Sequence, residues 1–132
     1  MIKLINFINK FNQAGKLTFF EIGFKKQIPF EVKRIYYIYD SDHISRGFHA
    51  HKNLSQVLIP ISGSVEVTLD DGQKKEKVLL DNPGQGLLIT DAIWREMHHI
   101  KDNTIILVLA SEYYDENDYI RNYDEFLKFV NK

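Results

Sequence analysis

Two histidines stand two positions apart in the segment Arg46-Gly47-Phe48-His49-Ala50-His51, and they carry the strongest chemical signal in the chain. Alternate side chains of an extended strand share a face, so His49 and His51 are expected to point the same way. Gly47 shares that face and leaves space for a ligand. Imidazoles exchange protons near neutral pH and also bind metals. The segment therefore predicts either half of a metal site or a pair of proton-transfer groups.

Two later positions separate these alternatives. His49-x-His51, followed by Gln56 and then Gly63, resembles the first motif of the cupins. Metal-binding cupins have a glutamate at the position of Gln56 and a histidine where Arg95 stands. A neutral amide is a weak ligand, and a guanidinium cannot coordinate a cation and repels it. We therefore expect no metal and no other cofactor, and we expect the two histidines to act as general acid and base.

The rest of the chain predicts a small all-β domain. Short runs rich in Val, Ile, Phe and Tyr alternate with turn residues, and Asp70-Asp71-Gly72 is a strong hairpin signal. The predicted strands are Leu17–Ile22, Lys33–Tyr39, Gly47–His51, Gln56–Ile61, Ser64–Leu69, Lys75–Leu80, Gly86–Ile89, Ile93–His98 and Thr104–Ala110. This number of strands in so short a chain favours a double-stranded β-helix, the cupin or jelly-roll barrel, with residues 1–132 as one domain.

Only the C-terminus has a helical pattern. Tyr123, Phe126, Leu127 and Val130 follow the spacing of one apolar face of a helix. Asn122 stands where it can cap the first turn. We expect one C-terminal α-helix, packed against the outside of the barrel.

The composition excludes several classes of protein. Seventeen basic and eighteen acidic residues give no basic excess, so we expect no nucleic-acid partner. The chain has no cysteine, which excludes disulfides and thiolate chemistry. The longest apolar run, Ile105 to Ala110, is too short to span a bilayer. With no secretory signal at the N-terminus, a cytoplasmic protein without membrane attachment is expected.

Beyond the histidine pair, the chain closely resembles the nucleotide-sugar 3,4-ketoisomerases, cupins that convert dTDP-4-keto-6-deoxyglucose into its 3-keto isomer. The resemblance extends over nearly the whole chain. Besides Arg46 to Lys52 it includes Ile28-Pro29-Phe30, Lys33 to Ile38, Gln56-Val57-Leu58, Leu69 to Gly72, Trp94 to His98, Val108 to Ser111, Tyr113 to Glu116 and Asp118 to Tyr123.

The resemblance implies a metal-independent isomerase that transfers protons between C3 and C4 of a dTDP-linked 4-keto-6-deoxy sugar. It implies a place in deoxyamino-sugar biosynthesis, for lipopolysaccharide or an S-layer glycan. By resemblance His51 is assigned to the carbon-bound proton, and His49 to the sugar oxygens. The reverse assignment remains open, and so does the face of C4 that is protonated, which decides between galacto and gluco products.

The same resemblance suggests further site residues. Tyr37 would place a hydroxyl near the reacting carbons. From side-chain chemistry, Arg46 would bind the pyrophosphate, and Arg95 would stabilise an enolate or another anion. Trp94 would either stack on the thymine ring or fill the core, and Gln56 is a further candidate for substrate binding. Strand alternation places Arg46 off the histidine face unless Gly47 bends the strand.

Two departures from the family pattern bear on the substrate site. Ala14 stands where members of the family often have arginine, and Arg95 stands where they often have histidine. These differences leave the contribution of both positions to substrate binding open.

Relatives of this family form dimers by exchanging N-terminal strands, so we expect a homodimer in which Met1–Phe7 is exchanged. Two other functions remain as alternatives. A dTDP-sugar 3,5-epimerase shares the Arg-Gly-x-His start, and a sugar-binding cupin without catalysis would need only the pocket.

Overall fold

The computed structural model describes residues 1–132, which form twelve strands, one short 3-10 helix and one α-helix. The strands are β1 (Lys3–Asn6), β2 (Ile8–Asn12), β3 (Gly15–Phe19), β4 (Arg34–Ile38), β5 (Arg46–His51), β6 (Gln56–Ser62), β7 (Val65–Asp70), β8 (Lys75–Leu80), β9 (Gln85–Ile89), β10 (Trp94–His98), β11 (Ile105–Ala110) and β12 (Tyr119–Ile120). The 3-10 helix is Glu116–Asp118, and α1 is Tyr123–Val130.

Ten of these strands form two five-stranded antiparallel sheets. The first sheet has the order β1-β9-β6-β11-β4, and the second has the order β12-β5-β10-β7-β8. Strands β2 and β3 form a separate hairpin. Two facing sheets with neighbours distant in sequence are the arrangement of a jelly roll. The all-β barrel with one C-terminal helix is therefore confirmed.

The main core fills the space between the two sheets. Alternation along each strand sends Leu58, Val67, Met97 and Val108 inward, where they join one cluster of twelve buried apolar residues. This core closes one end of the barrel. The other end contains the polar side chains described below.

The outer face of the second sheet carries the helix. Phe126 of α1 is buried against Ala50, Trp94 and Ile120. Asn122 caps the helix, because its side-chain oxygen accepts a hydrogen bond from the backbone N–H of Glu125 at 3.0 Å. The position, the cap and the outside packing of the helix are as predicted.

Most predicted strands agree with the structure to within one residue at either end, and Lys75–Leu80 agrees at both. The segment Leu17–Ile22 is shifted, because the observed strand is Gly15–Phe19. Strands β2 and β12 were not predicted, and β1 was expected only as an exchanged strand within Met1–Phe7. All three are short, and the residues of β2 are exposed throughout, so no alternation of buried and exposed positions marks it.

The only α-helix has eight residues, and no helix in the chain has the length and apolar character needed to cross a bilayer.

Candidate active site

A cleft of about 550 Å³ opens at the polar end of the barrel. Its walls come from the first sheet through β4, from the second sheet through β5, and from the segment that follows β11. The side chains relevant to the chemistry are Arg34, Tyr36, Arg46, His49, Tyr119 and Arg121. Three arginines and one histidine around one concave surface favour an anionic ligand that undergoes proton transfer.

The two histidines of β5 lie side by side, as the strand alternation predicted. Their ring centroids are 4.9 Å apart in an edge-to-face arrangement, and the ring of Tyr119 lies 5.1 Å from His49 and 4.3 Å from His51. His49 lines the cleft, whereas His51 lies behind it with only 1% of its side chain exposed. The two imidazoles therefore differ in their access to a ligand.

Both histidines are neutral near pH 7. Burial, followed by the charge of Arg95, lowers the pKa of His49 to about 4. Burial, with Arg95 and His49 as further causes, lowers the pKa of His51 to about 2. A neutral imidazole has one protonated nitrogen and one free lone pair. Each ring can thus accept a proton at neutral pH.

The hydrogen bonds of the two rings define their tautomers. His49 donates from Nδ1 to the carbonyl oxygen of Gly47 at 3.0 Å. His51 donates from Nδ1 to the carboxylate of Asp118 at 2.9 Å. Both partners only accept, so the lone pair of each neutral ring is on Nε2. The Nε2 atom of His51 is buried and has no hydrogen-bond partner in the protein.

Gly47 bends β5 at the site. Gly47 has φ of +91° and Phe48 has φ of +55°, and the pairing of β5 with β10 shifts its register at this point. The bend brings Arg46 to the wall of the cleft that also contains His49. Arg46 is held there by a hydrogen bond from its guanidinium to the hydroxyl of Ser41 at 3.2 Å. Its location is therefore consistent with binding an anionic group in the cleft.

Replacing Gly47 with alanine should destabilise the fold by roughly 2–4 kcal/mol, because two costs add. The positive φ is unfavourable for alanine, and the new Cβ would lie 2.9 Å from the carbonyl oxygen of Arg95. Urea denaturation measures the change. Gly15→Ala is the matched control, since Gly15 has φ of +118° but no neighbour within 4 Å of the added Cβ. Equal losses in the two variants would contradict a role for the contact with β10.

At the base of the cleft, the buried side chains of Gln56 and Arg95 and the half-buried side chain of Tyr36 form a hydrogen-bonded network. Gln56 donates from its amide nitrogen to the hydroxyl of Tyr36 at 2.9 Å and accepts a hydrogen bond from the guanidinium of Arg95. Arg95 also donates to the carbonyl oxygen of Ile93 at 3.1 Å. Burial lowers the pKa of Arg95 to about 10 and raises the pKa of Tyr36. At pH 7 a charged arginine and a neutral tyrosine therefore face the histidine pair.

These hydrogen-bonded side chains occupy the region where the cupin motif would hold a metal. Gln56 and Arg95 line the same small recess as His49, with the Arg95 guanidinium fully buried. No group of three or more His, Cys, Asp or Glu side chains is arranged to hold an ion. The donor set, one amide and one guanidinium beside two imidazoles, does not fit a divalent metal.

The assignment of Tyr37 to the reacting carbons stays a prediction, and the structure places this side chain at the rim of the cleft. Strand alternation places Tyr36 on the inner face and Tyr37 on the outer face of β4, where 62% of Tyr37 is exposed. Tyr37 contributes to the rim of the cleft but packs beside Tyr39, at a centroid distance of 5.7 Å. The tyrosine that faces the interior and contacts Gln56 is Tyr36. Because both positions are tyrosine, residue type alone did not distinguish them.

Of the two alternatives for Trp94, stacking on the thymine ring is contradicted and packing in the core is observed. Trp94 is on the outer face of β10, buried under Tyr123 and Phe126 of the C-terminal helix. Its indole nitrogen donates to the carboxylate of Glu96 at 2.9 Å. With 4% of its surface exposed, the ring has no free face for a base.

Sequence reasoning missed four side chains that surround the histidines: Arg34, Asp118, Tyr119 and Arg121. Tyr119 follows the 3-10 helix and pairs with His51 across β12 and β5. Arg121 stacks on Tyr119 at 4.2 Å from its ring centroid and is held by Glu116. Three of these four side chains belong to the segment Asp118 to Arg121. No local motif marks it, because its contacts span more than 60 residues of sequence.

Comparisons with known proteins agree with this geometry. Residues 1–131 match the family described as "FdtA: WxcM-like, C-terminal". The chain is 47% identical, over 98% of its length and 93% of the relative's, to the TDP-4-oxo-6-deoxy-alpha-D-glucose-3,4-oxoisomerase of Aneurinibacillus thermoaerophilus. It is therefore similar to a characterised sugar isomerase along its whole length.

Solved structures give the same result. A 3,4-ketoisomerase from Helicobacter canadensis superposes with a TM-score of 0.92 at 48% identity, covering 99% of this chain and 98% of that one. A histidine-to-asparagine mutant of the 3,4-ketoisomerase from Thermoanaerobacterium thermosaccharolyticum, in complex with TDP-4-keto-6-deoxyglucose, superposes with a TM-score of 0.92 at 44% identity, covering 98% and 94%. With the histidine pair and the arginine-lined cleft in place, the chain belongs to the family of nucleotide-sugar 3,4-ketoisomerases built on the cupin fold.

Proposed function

We propose that this chain converts dTDP-4-keto-6-deoxyglucose into a dTDP-3-keto-6-deoxyhexose. The observation that carries the proposal is a pair of neutral imidazoles, 4.9 Å apart, with His49 on the wall of an arginine-lined cleft and His51 behind it. The similar proteins from A. thermoaerophilus and T. thermosaccharolyticum are named for this substrate or are bound to it. Proton transfer is the chemistry that such a pair supplies.

The reaction needs two kinds of proton movement. In the first half, a base removes the proton from C3 while O4 gains a proton, which gives an enediol. In the second half, the proton on O3 leaves while C4 gains a proton, which gives the 3-ketone. One proton has then moved from C3 to C4, and another has moved from O3 to O4. Two separate proton-carrying groups serve both halves.

We assign the carbon-bound proton to His49, which reverses the assignment made from the resemblance. His49 supports this role because it lines the cleft and has a free lone pair on Nε2, whereas His51 lies behind the wall. His51 would serve the oxygen-bound protons through its unpartnered Nε2. The charge of Arg95 would favour the negative charge that develops on O4 during enolisation.

The arginines supply the binding site for the pyrophosphate in this proposal. Arg34, Arg46 and Arg121 line one cleft, and guanidinium groups match phosphate oxygens in geometry and charge. Gln56 and Arg95 would lie below the sugar and hold the Tyr36 hydroxyl in place, because Gln56 donates to this hydroxyl and Arg95 donates to Gln56. We propose Tyr36, instead of Tyr37, as the tyrosine near the reacting carbons.

We further propose that the reaction needs no metal, because the donors around His49 are unsuited to one. A preparation treated with EDTA and dialysed should keep its activity, and added Zn²⁺ or Mn²⁺ should not raise it. Activity lost with EDTA and restored by one of these ions would contradict this part of the proposal.

The proposal is tested by following a substrate labelled with ¹³C at C4. The chain should convert the C4 carbonyl signal into the signal of a carbon that carries a hydroxyl, with a new carbonyl at C3. A C4 carbonyl that persists while the sugar epimerises would favour the 3,5-epimerase alternative. A substrate that binds without any spectral change would favour a sugar-binding cupin.

The 3-ketone would be the substrate of a later amination, so we propose a place in deoxyamino-sugar biosynthesis in the cytoplasm, where dTDP-sugars are formed. The relative's name supports only the sugar class. Amination of the product carbonyl by an added aminotransferase would trap the product and drive the isomerisation forward.

We also propose a homodimer, with the β2–β3 hairpin as the exchanged element. Strand β1, the segment first expected to exchange, pairs with β9 of the same chain. The hairpin instead stands exposed at every strand residue, including Phe11, Leu17 and Phe19. Strand β4 has one unpaired edge, and its outer face is also exposed. A hairpin of the second copy would cover this edge.

Replacing Leu17 with aspartate should therefore convert a dimer into a monomer at micromolar concentration, because it places a charge in the proposed interface. Size-exclusion chromatography with light scattering measures the mass. Phe24→Asp is the control, since Phe24 is 89% exposed and lies outside the hairpin. A wild-type chain that runs as a monomer would contradict the proposal.

A further inference from the structure

Asp118 holds the Nδ1 side of the His51 ring. One carboxylate oxygen accepts from His51 Nδ1 at 2.9 Å, and the other accepts from the backbone N–H of Asn53 at 2.7 Å. The side chain is 16% exposed. Both oxygens of the carboxylate are therefore engaged by β5 and the turn that follows it.

The backbone of Asp118 is fixed as well. Its N–H donates to the carbonyl oxygen of Asp115 at 3.0 Å, which closes the 3-10 helix. Its own carbonyl oxygen accepts from the N–H of Lys52 at 3.0 Å. The next residue, Tyr119, pairs with His51 in the sheet. This network gives the carboxylate one position relative to the imidazole.

The opposite side of the His51 ring is prepared for a proton. Nε2 is buried without a partner, and the ring centroids of His49 and Tyr119 lie 4.9 Å and 4.3 Å from that of His51. The nearby cations Arg95, Arg34 and Arg121 all disfavour a charge on His51, in addition to burial. Asp118 is the only carboxylate hydrogen-bonded to the ring. A transient positive charge on His51 would therefore depend on Asp118.

We propose that Asp118 is a positioning residue that fixes His51 as the Nδ1–H tautomer and stabilises its protonated form during proton transfer. The inference rests on the proposed isomerase function, which it deepens. When Nε2 takes a proton from a sugar oxygen, the ring becomes an imidazolium, and the carboxylate at 2.9 Å compensates the new charge. When Nε2 returns the proton to the other oxygen, the neutral tautomer is restored.

The test replaces Asp118 with asparagine. An amide can donate to Nδ1 of His51, which favours the Nε2–H tautomer and occupies the lone pair needed for catalysis. We expect kcat to fall by about 10²–10⁴-fold while KM changes little, since Asp118 lies outside the cleft. The matched control is Asp115→Asn, because Asp115 caps the same 3-10 helix without contacting His51 and asparagine caps equally well. This control should keep wild-type kcat.

A second readout does not depend on turnover. Two-bond ¹H–¹⁵N NMR spectra of the ¹⁵N-histidine-labelled full chain report the tautomer of each ring. We expect Nδ1–H for His51 in the wild type and Nε2–H in the Asp118→Asn variant. A wild-type His51 in the Nε2–H form would overturn the inference, even if the variant failed to fold.

The two levels of the proposal can fail separately. An active wild type together with a fully active Asp118→Asn variant would overturn the inference and leave the isomerase function standing. A wild type that binds the dTDP-sugar without converting it would overturn the proposed function, and the tautomer spectra would still decide whether Asp118 fixes the ring.

Discussion

Replacing His49 with asparagine is expected to lower kcat by roughly 10²–10⁴-fold, the usual loss when a general base is removed. Asparagine can still donate to the carbonyl oxygen of Gly47, so the fold of β5 should persist. The arginines that line the cleft are unchanged, so the Kd for dTDP should stay close to the wild-type value. Single-turnover kinetics and isothermal titration calorimetry measure the two quantities.

The matched variant is His51→Asn, and deuterium exchange separates the roles of the two histidines. Without His49, the C3 proton of the bound 4-ketone should stop exchanging with heavy water, because no base removes it. Without His51, exchange at C3 should continue faster than product forms, because the transfer of the oxygen-bound protons then limits the rate of product formation. The opposite pattern would contradict the assignment of the carbon-bound proton to His49.

Acidification from pH 7 to pH 5 is expected to cost the folded state about 4 kcal/mol through this pair, about 2 kcal/mol for each histidine. The folded-state pKa values are about 4 for His49 and about 2 for His51, against an ordinary value of 6.5. Below pH 6.5 the unfolded chain binds protons that the folded chain does not. The stabilisation by neutral histidines is therefore complete above pH 6.5 and declines as the pH falls. Urea denaturation at several pH values measures the slope.

Removing one member of the pair should reduce this slope. His51→Asn should lose about half of the pH dependence between pH 6.5 and pH 5. An identical slope in the wild type and the His51→Asn variant would show that His51 is not held neutral by the fold.

The pH dependence of kcat/KM should reflect the same pKa values. A base that stays neutral down to about pH 4 has no reason to lose activity near pH 6.5, so kcat/KM of the folded enzyme should be flat between pH 8 and pH 5. An acidic limb with its midpoint near pH 6.5 would indicate that an ordinary, solvated histidine is the base.

The sequence predicted the features that depend on local spacing. The shared face of His49 and His51 follows from strand alternation. The helical pattern of Tyr123 to Val130 and its cap at Asn122 are also local signals. These elements could be located without any knowledge of the tertiary structure.

The residues that complete the site could not be found in this way. Asp118 meets His51 across 67 positions of sequence, a contact that exists only once β12 pairs with β5. The choice between Tyr36 and Tyr37 depended on which face of β4 meets the core, and both faces of that strand carry apolar or aromatic residues. The two alternatives for Trp94 could not be separated from the sequence, because an aromatic residue beside Arg95 has the same appearance whether it binds a base or packs under a helix.

The central claim is that the carbonyl of the sugar moves from C4 to C3. Proton NMR of dTDP-4-keto-6-deoxyglucose incubated with the chain in heavy water tests it most directly. We expect a 3-keto product that carries deuterium only at the positions of the transferred protons and keeps its C5 proton. Exchange at C5 with the 4-ketone intact would contradict it and would identify an epimerase instead.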